Sequence, residues 1–183
     1  MRRWIPRRRA WLLGGVAAVV AVIVALLMTG LGRDPSVFAS PLVGRVAPNF
    51  TLPQLDGPPV TLARLRGQVV VINFWASWCT ECRVEQAALD QTWQRFQDSG
   101  VVVIGVNFED SVGAARGYVR SEDVTYPVVE DDGSKTALAY GLRGVPETFV
   151  VNRSGRIVKH VIGPVAAAAL SSDINSMLLP STQ

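Results

Sequence analysis

Cys79 and Cys82 are the only two cysteines in the chain, and only Thr80 and Glu81 separate them. If a helix begins at Cys79, Cys82 lies one turn in, close enough to close a disulfide with it. With no third cysteine, the pair cannot belong to a larger disulfide scaffold, and a bridge across so tight a loop constrains little chain entropy. Reversible redox chemistry is the reading that remains. A cysteine at a helix N-terminus faces unpaired backbone N–H groups and the positive end of the dipole, which stabilise its thiolate. Cys79 would attack a substrate disulfide, and Cys82 would resolve the mixed disulfide from a more buried position. A zinc site would need further ligands, but there is no second cysteine pair and His160 is the only histidine. His160 falls in an alternating strand and reads as a packing or surface residue. No metal or cofactor is called for.

Such a pair needs a strand that ends, and a helix that begins, at Cys79. Residues 69–75 form a continuous β-branched apolar run, as a buried central strand should. A helix is expected from about 79 to 99, with Leu89, Trp93 and Phe96 on one face and Gly100 at its stop. A second buried strand follows at 101–108, then helical candidates at 114–120 and 134–140. Residues 148–152 and 156–162 alternate, and Asn152-Arg153-Ser154-Gly155 joins them as a hairpin loop. A last helix is expected over 165–179. Upstream, 50–52 and 60–62 flank the turn signal Asp56-Gly57-Pro58 and read as a small hairpin. The fold class is α/β, with a mixed sheet and helices on both faces.

The N-terminus has a different composition. Arg2, Arg3, Arg7, Arg8 and Arg9 precede an uncharged stretch over 10–32, long enough to cross a bilayer as a helix. Arginines before the run, and only Arg33 just after it, favour a cytoplasmic N-terminus and an exported remainder. Trp11 suits a membrane interface. Cleavage after Val37-Phe38-Ala39 is the alternative, but Ser40-Pro41 makes a poor processing site. The expected organisation is a basic cytoplasmic tail over 1–9, one transmembrane anchor over 10–32, a linker over 33–43 and a single domain over 44–183. The formal charge is +3, and it becomes −2 without the five leading arginines. The positive charge thus belongs to the membrane end, and no nucleic-acid partner is expected.

Val71-Ile72-Asn73-Phe74-Trp75-Ala76-Ser77-Trp78-Cys79-Thr80-Glu81-Cys82 resembles the active-site segment of thioredoxins, and Gly144-Val145-Pro146-Glu147-Thr148-Phe149 resembles the segment around their cis-proline. Ala47-Pro48-Asn49-Phe50-Thr51-Leu52-Pro53 through Asp56-Gly57 is similar to the N-terminal hairpin of the exported TlpA/ResA/DsbE branch. Within that branch, Pro146-Glu147-Thr148-Phe149 and Cys82-Arg83-Val84-Glu85 are most similar to the cytochrome c maturation members (the CcmG type), anchored reductases that keep the haem-binding cysteines of apocytochrome c reduced. The resemblance implies a thioredoxin fold, a domain on the extracytoplasmic side of the cell membrane, protein substrates with disulfides such as apocytochrome c, and a membrane electron donor. It also implies a cis Pro146 that leaves the Val145 backbone free to pair with an extended substrate segment. Trp78 would wall Cys79, and Trp75 would be core.

Thioredoxins carry a buried Asp where this chain has Asn73, so another carboxylate is expected to assist Cys82. The resemblance points to Glu85 and Glu147, either of which would tune the thiols and carry a proton. The other reading of Glu85 is a solvated first-turn residue favoured by the helix dipole. Glu81, beside the nucleophile, should raise the Cys79 pKa and argues for a reductant. Alternatives are a disulfide-forming oxidase, since direction is set by potential, and a copper-delivery metallochaperone. Copper-delivery relatives use a wider cysteine spacing plus a histidine. A peroxidase would place its cysteine in a Pro-x-x-x-Thr-x-x-Cys context that Ala76-Ser77-Trp78 does not supply.

Overall fold

The structure, a computed structural model, describes residues 11, 15–16, 18–22 and 40–178. The chain divides into two units, Met1–Val37 and Phe38–Gln183. Most of the first unit lies outside the described residues, as do the basic tail over 1–9 and residues 33–39 of the expected linker. Its described residues are helical, with Trp11, Val16, Val19, Val20 and Val22 exposed. Among the described residues, no helix is long and apolar enough to cross a membrane.

The second unit is built on a five-stranded sheet in the order β5-β4-β3-β6-β7. Its strands are β3 (Val69–Trp75), β4 (Val101–Asn107), β5 (Val128–Glu130), β6 (Glu147–Val151) and β7 (Ile157–Ile162). β3 runs parallel to β4, and β4 parallel to β5, whereas β6 is antiparallel to both β3 and β7. The sheet is therefore mixed. All seven residues of β3 are buried, as its run of β-branched and aromatic residues, interrupted only by Asn73, requires of a central strand covered on both faces.

Successive residues of β3 feed two cores. Val69, Val71 and Trp75 pack with Leu89, Phe96, Leu170 and Ile174, under α1 (Thr80–Phe96) and α4 (Ala167–Leu178). Ala115 and Tyr118 of α2 (Val112–Ser121) join that side. Val70, Ile72 and Phe74 pack on the other face with Phe149, with Ala137 and Tyr140 of α3 (Lys135–Tyr140), and with Ala47, Phe50 and Leu62. Covering both faces with apolar layers is what closes the domain.

The expected elements form close to their sequence limits. α1 gives way to a single 3-10 turn, Gln97–Ser99, and Gly100 ends it at φ 76°. The small hairpin is β1 (Thr51–Leu52) paired with β2 (Val60–Thr61). Two features differ from expectation. β5 was not foreseen: it is three residues long and follows Pro127, too short to show a period. It is held by β4 on one side and by Leu55 N–H to Val128 O and Glu130 N–H to Pro53 O on the other. Residues 40–43, expected in the linker, form a turn in which Ser40 is buried and accepts the Val43 N–H.

Candidate active site

β3 ends at Trp75, and α1 begins five residues later at Thr80. Cys79 is the N-cap, in extended backbone at φ −86° and ψ 114°, so its side chain turns back over the first turn. There Sγ accepts the Cys82 N–H at 3.1 Å. Sulfur thus takes the place that a Ser or Asp oxygen holds at most caps, and an ionised sulfur would accept this N–H more strongly. The two cysteines are disulfide-bonded, with Cα atoms 5.3 Å apart. Cys79 is 5% exposed and Cys82 1%, which makes Cys79 the outer sulfur.

The approach to Cys79 is fixed from the β4–α2 loop. Asp110 Oδ2 accepts the Ser77 N–H at 2.7 Å and Asn107 Nδ2 at 3.2 Å, and Oδ1 accepts the Ser111 N–H at 2.8 Å. Burial alone would raise the Asp110 pKa, but these donors together bring it below the ordinary aspartate value. Trp78 is 59% exposed, and its indole N–H donates to Glu109 O at 3.1 Å. It therefore presents ring surface to solvent beside Cys79 while its polar edge is tied down. Glu81 is exposed.

Glu85 lies one turn beyond Cys82 on α1 and is 1% exposed, so it is not the solvated first-turn residue. Its Oε1 accepts Asn73 Nδ2 at 2.7 Å and its Oε2 accepts the Val165 N–H at 2.8 Å. Burial pushes the Glu85 carboxyl up to about 7, with the two donors opposing the rise. Asn73 Nδ2 also donates to Thr148 Oγ1 at 3.0 Å, while its Oδ1 is buried without a partner. Asn73, at the position that matches the buried Asp of thioredoxins, holds a carboxylate from the helix instead.

Glu147 is placed differently. It pairs in register with Phe74, and in an antiparallel ladder paired residues share a face. Phe74 packs on the face away from α1, so Glu147 points to the side of the sheet opposite Cys82 and Glu85. Its Oε1 accepts the Arg143 N–H at 2.9 Å, and its Oε2 accepts His160 Nε2 at 2.7 Å. Expected as a proton carrier for Cys82, Glu147 has both oxygens engaged on the far face. His160, expected to be a packing or surface residue, has a side chain only 5% exposed and is stacked on Phe149 at 4.1 Å between ring centres. Immediately before Glu147 runs the segment that leads into β6. The Val145–Pro146 bond is cis, Val145 packs against both cores, and Pro146 O accepts the Gly163 N–H at 2.9 Å.

Residues 43–160 match the AhpC/TSA family. The chain is 37% identical over 163 residues to the thiol:disulfide interchange protein DsbE of Allochromatium vinosum, covering 87% of this chain and 88% of that one. This chain belongs to the thiol:disulfide interchange proteins of that family. The thiol:disulfide interchange protein HelX of Rhodobacter capsulatus is 37% identical over 149 residues, 80% of this chain and 82% of that one. A thiol:disulfide interchange protein of the thioredoxin family from Chlorobium tepidum superposes with a TM-score of 0.67 at 26% identity, covering 73% of this chain and 96% of that one. Cys79 and Cys82, disulfide-bonded at the head of α1, are the two cysteines this chain has for such interchange. Asp110 is not singled out by the sequence, where His160 reads only as a packing or surface residue. The Asp110 bond to Ser77, 33 residues away, and the His160 bond to Glu147 across the β6–β7 hairpin are set by tertiary placement.

Proposed function

We propose that the protein is a thiol:disulfide reductase, anchored by residues 10–32 with its thioredoxin domain on the extracytoplasmic side of the cell membrane, which keeps the haem-binding cysteines of apocytochrome c reduced. The observation that carries the reading is the Cys79–Cys82 pair at the start of α1, with buried Glu85 one turn beyond it. The five arginines before an uncharged run support the anchor. The likeness of Cys82-Arg83-Val84-Glu85 and Pro146-Glu147-Thr148-Phe149 to the cytochrome c maturation members supports the substrate class.

In the reduced protein the Cys79 thiolate attacks one sulfur of a substrate disulfide. A Cys79–substrate disulfide forms, and the other substrate sulfur leaves as a thiolate. The Cys82 thiol gives its proton to ionised Glu85 and attacks Cys79 Sγ. The Cys79–Cys82 disulfide forms as the Cys79–substrate bond breaks, and the second substrate sulfur leaves as a thiolate. The two substrate thiolates take protons from Glu85 and water, so that the substrate departs as a dithiol carrying two electrons from the pair. A dithiol donor in the membrane returns those electrons. Val145 lends its backbone to an extended substrate segment, Pro146 flanks it, and Trp78 covers its apolar side chains.

The reduction potential of the full-length chain in detergent tests the direction. A value near that of thioredoxin, about −270 mV, is expected of a reductase. A value near about −120 mV would replace this reading with that of a disulfide-forming oxidase.

A further inference from the structure

We propose that His160 is a positioning residue for substrate binding, acting through Glu147 from the face of the sheet opposite the dithiol. This rests on the reading above, in which a substrate segment lies along Val145.

The residues immediately before β6 must hold Val145 and Pro146 in place although they belong to no strand or helix. Glu147 closes this segment on itself, because its Oε1 accepts the N–H of Arg143, four residues upstream, at 2.9 Å. A single bond of that kind leaves the carboxylate free to turn about its last torsion. His160 removes that freedom. It holds the second oxygen at 2.7 Å, and its ring is itself fixed flat on Phe149, with an interplanar angle of 11°. The side chains of His160 and Glu147 are 5% and 1% exposed, so water does not compete for either oxygen. Hydrogen bonds to a charged acceptor in such a site are the stronger kind. The backbone adds one more tie from the same strand end, Gly163 N–H to Pro146 O at 2.9 Å. β7 and the residue after it thus grip the Arg143–Glu147 segment at Glu147 and at Pro146, immediately after the Val145 backbone that faces substrate.

Proton transfer to Cys82 does not suit this carboxylate. Its oxygens are engaged by Arg143 and His160, and it lies beyond the sheet from Cys82. Glu85 is on the cysteine side.

The test uses the full-length chain and two substrates. One is a synthetic peptide closed by a disulfide between cysteines three apart. The other is bis(2-hydroxyethyl) disulfide, too small to lie along Val145. His160→Phe keeps the stacked ring and removes the bond to Glu147. It is expected to raise KM for the peptide about tenfold, the equivalent of one hydrogen bond to a charged group, with kcat and the small-disulfide rate little changed. His160→Gln, which restores a donor, should recover most of the loss. Should His160→Phe not fold, Glu147→Gln, which still accepts the Arg143 N–H, should raise the peptide KM by a smaller factor and leave the pH profile of kcat in place. An unmoved peptide KM in a folded His160→Phe protein would overturn the inference. So would a shifted pH profile with the small disulfide, which would make the pair a proton path. If wild-type protein reduces neither substrate, the functional reading itself fails, a result distinct from either.

Discussion

Asn73 Nδ2 donates to Glu85 Oε1 at 2.7 Å, a bond that crosses from the central strand to the helix carrying both cysteines. It places an ionisable group one turn from the resolving thiol, beside the apolar core under α1. The consequences are measurable in stability as well as in rate.

Glu85 makes folding depend on pH. Its carboxyl is raised from 4.5 to about 7 by burial, so the folded state holds a proton that the unfolded chain has already released. Stability is therefore fully present below about pH 4.5 and is lost as pH rises through about 7, by ~3 kcal/mol in all. Urea unfolding of the disulfide form at pH 5 and pH 8 should show the fall, and Glu85→Gln should abolish it. An identical slope in the Gln variant would mean that another group titrates.

Asn73→Asp would exchange a donor for a second carboxyl beside Glu85. Like charges in one buried site cannot both ionise freely, so the pair should titrate together, with its upper apparent pKa above that of Glu85 alone. Stability at pH 8 should fall by a further ~2 kcal/mol, while stability at pH 5 changes little. An Asp variant as stable as the parent at pH 8 would show that the Asn73–Glu85 bond contributes nothing.

Asp110 anchors the segment before Cys79 by accepting three donors from Ser77, Asn107 and Ser111. Its pKa is lowered, so its contribution is present above the ordinary aspartate range and is lost as pH falls below it. Asp110→Ala should cost about 1–2 kcal/mol at pH 7, the net worth of one or two such bonds. Faster amide exchange at Ser77 should accompany it, and unchanged exchange there would place the anchor elsewhere.

Gly105 lets two aromatic rings meet the sheet. A Cβ at this position would stand 2.9 Å from Trp75 Nε1 and 3.0 Å from Tyr126 Cε2, and Tyr126 OH in turn donates to Gln86 of α1 at 2.8 Å. Gly105→Ala should lower stability by about 1–3 kcal/mol through overpacking. Thermal unfolding measures it, and a neutral result would mean that the rings shift without loss.

The dithiol, the central strand, the helix that follows and the hairpin before them were legible in the chain because each depends on residues close in sequence. Six apolar residues in a run of seven demand burial on both faces, and a cysteine where a strand gives way to a helix becomes its cap. Glu85 was legible as a candidate but not as a buried one, since its burial depends on Val165 and Asn73, 80 and 12 residues away. β5 was not legible, because three residues show no period and its partners come from β4 and from the segment after β1.

Glu147 and His160 mark the boundary most clearly. The alternation around the Asn152–Gly155 loop assigned His160 to a strand and stopped one residue short of Glu147. Counting back from the pair Val151–Ile157 would set His160 opposite Thr148, on the side of the dithiol. A bulge between Val150 and Val151 shifts the register by one, and His160 instead faces Phe149. Since side chains alternate at every residue, that single extra residue moves the histidine to the other face of the sheet and brings it to Glu147. Local patterning determined the chemistry at Cys79 and Cys82. Which carboxylate stands with Cys82 and which is held beyond the sheet was decided by register, which only the packed chain sets.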